Sequence, residues 1–255
     1  MEDKYSEVRN KVFIAIVALY ILMTIGINIF FYLTCTGRLQ LSVSALDGIV
    51  SFMIDNKNVI GTETMVLSFL LFYRINPNLN NEYICLQKSR KDIYYQHIKQ
   101  SFYLNCIFTL GNAFISFMTT LILSKSISNW DKSTSIYYLL FDKPFEGNFF
   151  VVEMYMVLSV AACICIVQVY LMFYLLIYWL IKSRNFTFVC GIVISWCLGR
   201  NIFPEHLKLT SNTIYAVHYM MGEPQIIVYG LLKYSVFMLV VFALTNVVLR
   251  GRDLL

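Results

Sequence analysis

Charge is what this sequence has least of. Only 14% of its 255 residues are Asp, Glu, Lys or Arg, while 58% are hydrophobic. A soluble domain carries about 25% charged and about 45–50% apolar residues. So few charges would not cover a water-facing surface, which excludes an ordinary soluble protein, a disordered chain and a collagen-like one. Runs of like charge are also missing, so nothing suggests a nucleic-acid-binding arm. The seven cysteines contain no CxxC pair, and five of them lie in apolar stretches, where Cys acts as a small hydrophobe. Catalytic and nucleotide signatures are absent as well: no GxxxxGK[ST], no HExxH, no GxSxG and no paired glutamates of the membrane-protease kind. The three histidines, His97, His206 and His218, are divided between opposite ends of the expected spans and do not form one metal site.

What is present is long apolar runs. A spanning helix needs about 20 mostly apolar residues. Residues 12–33, 101–124 and 154–181 meet this without a charge. Residues 185–203 and 227–249 are shorter or interrupted, and 59–73 carries Glu63 near one end. The expectation is an all-α, polytopic membrane protein: one transmembrane domain over residues 1–255, six spans, and both termini cytoplasmic. Loop charge supports this count. With the N-terminus inside, twelve Lys and Arg fall on short inside segments and eight on longer outside ones, as the positive-inside tendency requires. Without the span at 59–73, the most basic loop would lie outside. The first apolar run is too long for a signal-peptide core and has no small-residue cleavage site, so it is expected to remain.

Three outside loops are expected, at residues 34–58, 125–150 and 201–224. The last is apolar enough to re-enter the outer leaflet. The largest inside segment covers residues 74–100. It opens with a turn at Pro77 and becomes an amphipathic helix over 82–100, lying on the inner leaflet or docking a soluble partner. Glu63, Glu153, Arg200 and Lys233 fall near outer ends of spans, and Glu223 lies in the last outside segment. These charges either line a substrate path or outer gate, or snorkel to the interface and only mark helix ends. The interfacial reading is preferred, with Glu63 the strongest exception, because its short side chain cannot snorkel far.

The arrangement of six spans, inside termini, a basic helical segment between spans two and three and a semi-apolar excursion between spans five and six resembles the permease subunit of type-2 ABC exporters, the small bacterial kind for peptides, bacteriocins and drugs. The local likeness is Glu82 followed by Gln87-Lys88-Ser89-Arg90-Lys91-Asp92-Ile93-Tyr94-Tyr95 and Lys99. Tyr83-Ile84 stands where that family usually has Gly-Thr. The resemblance implies a multi-pass permease of a bacterial cell membrane that pairs with a second copy or a paralogue. Two copies of a separate cytoplasmic ATPase would hold ATP and Mg, and this chain would be no enzyme and carry no cofactor. Docking on the ATPase would fall to Glu82, Tyr83, Leu86, Gln87, Lys88, Arg90 and Lys91. Two other readings stand beside it: an ATPase-independent channel, sensor partner or immunity protein, and a membrane-embedded transferase or protease.

Overall fold

The computed structural model describes residues 2–54, 62–75, 90–147, 149–181, 183–199 and 225–252. Among them the chain is almost wholly helical, with a single isolated bridge between Ser42 and Ser135 and no strand. The helices are α1 (Glu2–Leu33), α2 (Ala45–Ile54), α3 (Thr64–Ile75), α4 (Arg90–Ser124), α5 (Ile136–Phe141), α6 (Phe149–Ile181), α7 (Arg184–Gly199) and α8 (Gln225–Arg252), and a π-helical turn, Thr34–Arg38, extends α1. Three stretches are long and apolar enough to cross a membrane: Asn10–Arg38, Asp92–Ser124 and Val152–Ile181. By length and composition they suit membrane crossings, and they match three of the expected spans. The remaining three expected spans coincide with α3, α7 and α8, which are shorter or only partly described.

The packing inverts the soluble pattern. Leu19, Phe30, Ile107, Phe114, Ile122, Val157, Leu239 and Val247 are among the large apolar side chains turned outward, as a lipid-facing surface requires. α6 is the central helix: 67% of its most apolar window is buried, against 17% for α1. Val167, Leu171 and Leu175 on α6 pack in one core with Leu67 and Leu71 of α3, Leu104 of α4 and Tyr234 of α8.

Paired residues give the helix directions. Thr24 meets Asn112, and Asn28 meets Ser116 one turn further on both helices, so α1 and α4 run parallel. Ser101 meets Gln168 while Asn105 meets Ile164, so α4 and α6 run antiparallel. Parallel α1 and α4 require the chain to return between them, and α2 and α3 share that return. The backbone N–H groups of Ala45 and Leu46 donate to the carbonyls of Ser126 and Ile127, just beyond the end of α4. From there α2 descends along α4 to Ser116 and Thr120. α3 starts lower, where Glu63 meets Thr109 and Asn112, and leads back towards the start of α4.

Two expectations are corrected here. The outside loop expected over 34–58 contains a helix: Ala45, Leu46 and Val50 of α2 are buried. Its ten residues are too few to register as a span, yet its apolar face packs like one. The amphipathic helix expected over 82–100 is not a separate surface element from residue 90 onward. α4 runs unbroken from Arg90 to Ser124, because no proline interrupts it, and Ile93, Tyr94 and His97 are buried rather than lying on a leaflet. Residues 76–89, the expected turn and docking segment, and the expected re-entrant segment over 201–224 lie outside the described residues.

At the end where α1 and α4 finish and α6 begins, residues 39–44 and 125–147 close over the bundle. Ser42 N–H donates to the Thr134 carbonyl at 2.8 Å, and Phe145 N–H to the Trp130 carbonyl at 2.9 Å. Asp47 anchors this cap. Its carboxylate accepts from the Ser44 N–H at 2.8 Å, the Ser44 hydroxyl at 2.7 Å and the Trp130 indole N–H at 2.8 Å. Asp47 follows Ser44 by three positions, the spacing of a capping box at the start of α2.

Gly48 sets how closely α2 approaches α4. A Cβ there would collide with the Thr120 hydroxyl and lie 2.8 Å from the Ser116 carbonyl oxygen. Gly26 on α1 has open space around it. Gly48→Val is expected to cost about 1–3 kcal/mol by overpacking and to lower the thermal unfolding midpoint in detergent, whereas Gly26→Ala leaves it unchanged. Equal midpoints for both variants would contradict the close packing of α2.

Candidate functional site

The site begins with a pattern on α4. His97, Ser101, Asn105, Thr109, Asn112, Ser116 and Thr120 are spaced by four residues, with one step of three. That spacing puts them on one face of a helix. All seven are at most 2% exposed, so this polar stripe points into the protein and not to water. It covers about 35 Å at 1.5 Å per residue, about the thickness of a bilayer hydrocarbon core.

Each neighbouring helix answers the stripe with polar groups of its own. Asn105 Nδ2 donates to the Ile164 carbonyl at 2.8 Å and to Gln168 Oε1 at 3.3 Å, and Gln168 Nε2 donates to Ser101 Oγ at 3.0 Å. From α1, Asn28 Nδ2 donates to Ser116 Oγ at 3.0 Å, and the Thr24 hydroxyl points at Asn112 Oδ1 at 3.4 Å. Asn112 Nδ2 in turn donates to the Tyr20 hydroxyl at 2.7 Å. Away from water, an unpaired polar group is costly, so such partners are a condition of burying the stripe.

Glu63 is the acidic member of this network. It sits immediately before α3 and is fully buried. Thr109 Oγ1 lies 2.7 Å from Glu63 Oε1, and Asn112 Nδ2 lies 3.3 Å from Oε2. Thr24, Thr109 and Gln168 all lie near the middle of the three long apolar stretches. Glu63 therefore sits at mid-height in the bundle. This differs from the expected place near one end of a span: α2 packs along α4 at Ser116 and Thr120, and Glu63 lies level with Thr109.

The other expected site residues are not brought to it. Glu153 on α6 and Lys233 on α8 are exposed. Arg90 and Lys91 form the first turn of α4. Glu82, Tyr83, Leu86, Gln87, Lys88, Arg200 and Glu223 lie outside the described residues. Sequence reasoning missed the stripe, although its four-residue spacing was readable. The interlocking polar groups of α1 and α6 are isolated in their apolar runs and carried no signal of their own.

Among the described residues several buried polar atoms lack a hydrogen-bond partner, two of the groups being on this face of the bundle. Both ring nitrogens of His97 and Oδ1 of Asn28 have no hydrogen-bond partner. His97 packs against Trp179, with ring centroids 6.1 Å apart. Among the described residues no group of three or more His, Cys, Asp or Glu could hold a metal ion. What the network offers chemically is a single carboxyl group among hydroxyl and amide oxygens, a setting for a proton or a small cation. Fold and site together define a helical membrane protein with a polar interior. No protein-family model matches the chain, and no significant match occurs among curated proteins or solved structures.

Asn112 joins α1, α3 and α4 through three of these contacts. Asn112→Leu is expected to strand the Glu63 carboxyl and the Tyr20 hydroxyl and to cost about 1–3 kcal/mol, the usual penalty for a buried group left unpaired. Asn246→Leu, at a half-buried position bonded within its own helix, is the comparison and loses less. Thermal unfolding of the two variants in one detergent reads the difference.

Proposed function

We propose that this chain is the membrane-spanning permease of an ATP-driven exporter of the type-2 ABC kind, moving a peptide, drug or other amphiphilic substrate out of a bacterial cell. In this reading it crosses the membrane six times with both termini inside, the second crossing being shared by α2 and α3. It pairs with a second permease, and two copies of a cytoplasmic ATPase dock on the segment from Glu82 to Lys91. ATP and Mg belong to that partner. The re-entrant outer segment between the last two spans, with Arg200 and Glu223, serves as outer gate.

The observation that supports this most is the continuity of α4. Its 35 residues make a rod of about 50 Å that starts at Arg90 and Lys91, in the proposed docking segment. The rod carries the whole polar stripe and passes Glu63. A push at its first turn displaces the stripe against α1 and α6 without bending an intervening loop. The greasy exterior and polar interior suit a protein that opens a path between helices.

A second reading, a channel or other transporter that works without an ATPase, is favoured by the same stripe, since polar groups along one buried face also suit ion movement. Co-purification separates the two. Tagged chain recovered in mild detergent is expected to bring down a P-loop ATPase in about equal amount, and Glu82→Ala, Arg90→Glu and Lys91→Glu are expected to reduce that recovery without reducing insertion. Undiminished recovery in all three variants removes the docking assignment, and recovery of the chain alone favours the second reading. In a transport assay, Glu63→Gln is expected to change the rate more than Lys233→Gln does, and the reverse order would separate Glu63 from the substrate path.

A further inference from the structure

We infer that Glu63 is a proton-binding site: packed between α1 and α4 at the start of α3, it holds one proton as a neutral carboxyl group. The inference is independent of any ATPase and rests on counting hydrogens. Thr109 Oγ1 lies 2.7 Å from Glu63 Oε1 and 3.1 Å from Asn105 Oδ1. A hydroxyl has one proton to give. If Glu63 were a carboxylate, both neighbours would be acceptors, and one would go without a donor. Asn105 cannot make up the deficit, because its own amide hydrogens are engaged by Ile164 and Gln168.

A proton on Glu63 Oε1 resolves the count. The carboxyl O–H donates to Thr109 Oγ1, and Thr109 donates to Asn105 Oδ1. Asn105 then donates to Gln168 Oε1, Gln168 to Ser101 Oγ, and Ser101 to the Ile98 carbonyl at 2.8 Å. Each acceptor in that chain now has a donor, and Glu63 Oε2 still accepts from Asn112. The wider network is short of donors too: Asn28 Oδ1, on the α1 side, is buried with none. Asp47 shows the contrasting case, a buried carboxylate with three donors of its own.

Glu63 sits at the start of α3, where the helix dipole favours negative charge. Leaving a buried carboxylate without a countercharge costs more than the dipole returns, so the neutral form prevails. The titratable groups that face Glu63 are Tyr20 on α1 and Cys163 on α6; α4 presents Thr109 and Asn112, which do not titrate. In water a glutamate carboxyl ionises at about pH 4.3. Burial of Glu63 at neutral pH therefore takes up one proton. The proton passes between carboxylate and water, and no other reactant is needed.

Infrared spectroscopy of the full chain in phosphatidylcholine vesicles at neutral pH tests this. The wild-type minus Glu63→Gln difference is expected to show the carbonyl stretch of a protonated carboxyl group, shifted after transfer to D2O. Asp47→Asn should leave that band in place. Thr109→Val retains Glu63 and is expected to move the band by removing its hydrogen-bond acceptor, which keeps the test decisive if Glu63→Gln does not fold. A pair of carboxylate stretches in place of the band overturns the inference, as does a band indifferent to Thr109→Val or to D2O.

Discussion

Inside a membrane protein, a polar side chain that turns away from lipid has no water to meet, so another side chain or a backbone carbonyl must meet it. The stripe on α4 imposes that constraint from Ser101 to Ser116, while His97 at its first position is buried without a hydrogen-bond partner. Ser101 and Asn105 require Gln168 and the Ile164 carbonyl from α6, while Asn112 and Ser116 require Tyr20, Thr24 and Asn28 from α1. Apolar packing against lipid is permissive, since one leucine face serves as well as another. These paired polar groups are directional. They select the parallel register of α1 with α4 and the antiparallel register of α6.

The divided return between α1 and α4 follows from the same constraint. α2 is held at one end by Asp47 and by the close approach at Gly48, and it covers the stripe at Ser116 and Thr120. α3 begins near Thr109 and Asn112, and Glu63 is the group that meets them there. A single straight helix through this space would carry one apolar face past both halves. Two short helices allow a carboxyl group at mid-height, where it meets α4 directly and α1 through Asn112.

Much of the architecture was legible in composition and hydropathy. Low charge and long apolar runs announced a helical membrane protein, and three of the runs correspond to helices long enough to cross. α1 and α4 run parallel, so the chain returns between them through α2 and α3. Helix α2 was not legible, because a ten-residue apolar segment beside Asp47 looks the same whether it lies in a loop or packs against a span. The unbroken start of α4 was hidden by its polar composition: Tyr94 and His97 look interfacial in sequence and are buried by α6 and α8. For Glu63, the sequence argument that a short carboxyl cannot snorkel was sound, but its depth was misjudged because the crossing was taken as one helix over 59–73.

The amino-acid sequence by itself determined the solvent this protein lives in, since the balance of apolar and charged residues depends on no partner. It also determined which faces are helical and which face of α4 is polar, because a four-residue spacing is a local property of the chain. Tertiary structure alone decided which polar groups meet. Asn105 and Gln168 are 63 positions apart, and Glu63 and Thr109 are 46 apart. No local propensity encodes such distances. They arise only when the helices pack, and packing in an apolar medium leaves each buried polar group to the partner that geometry brings within reach.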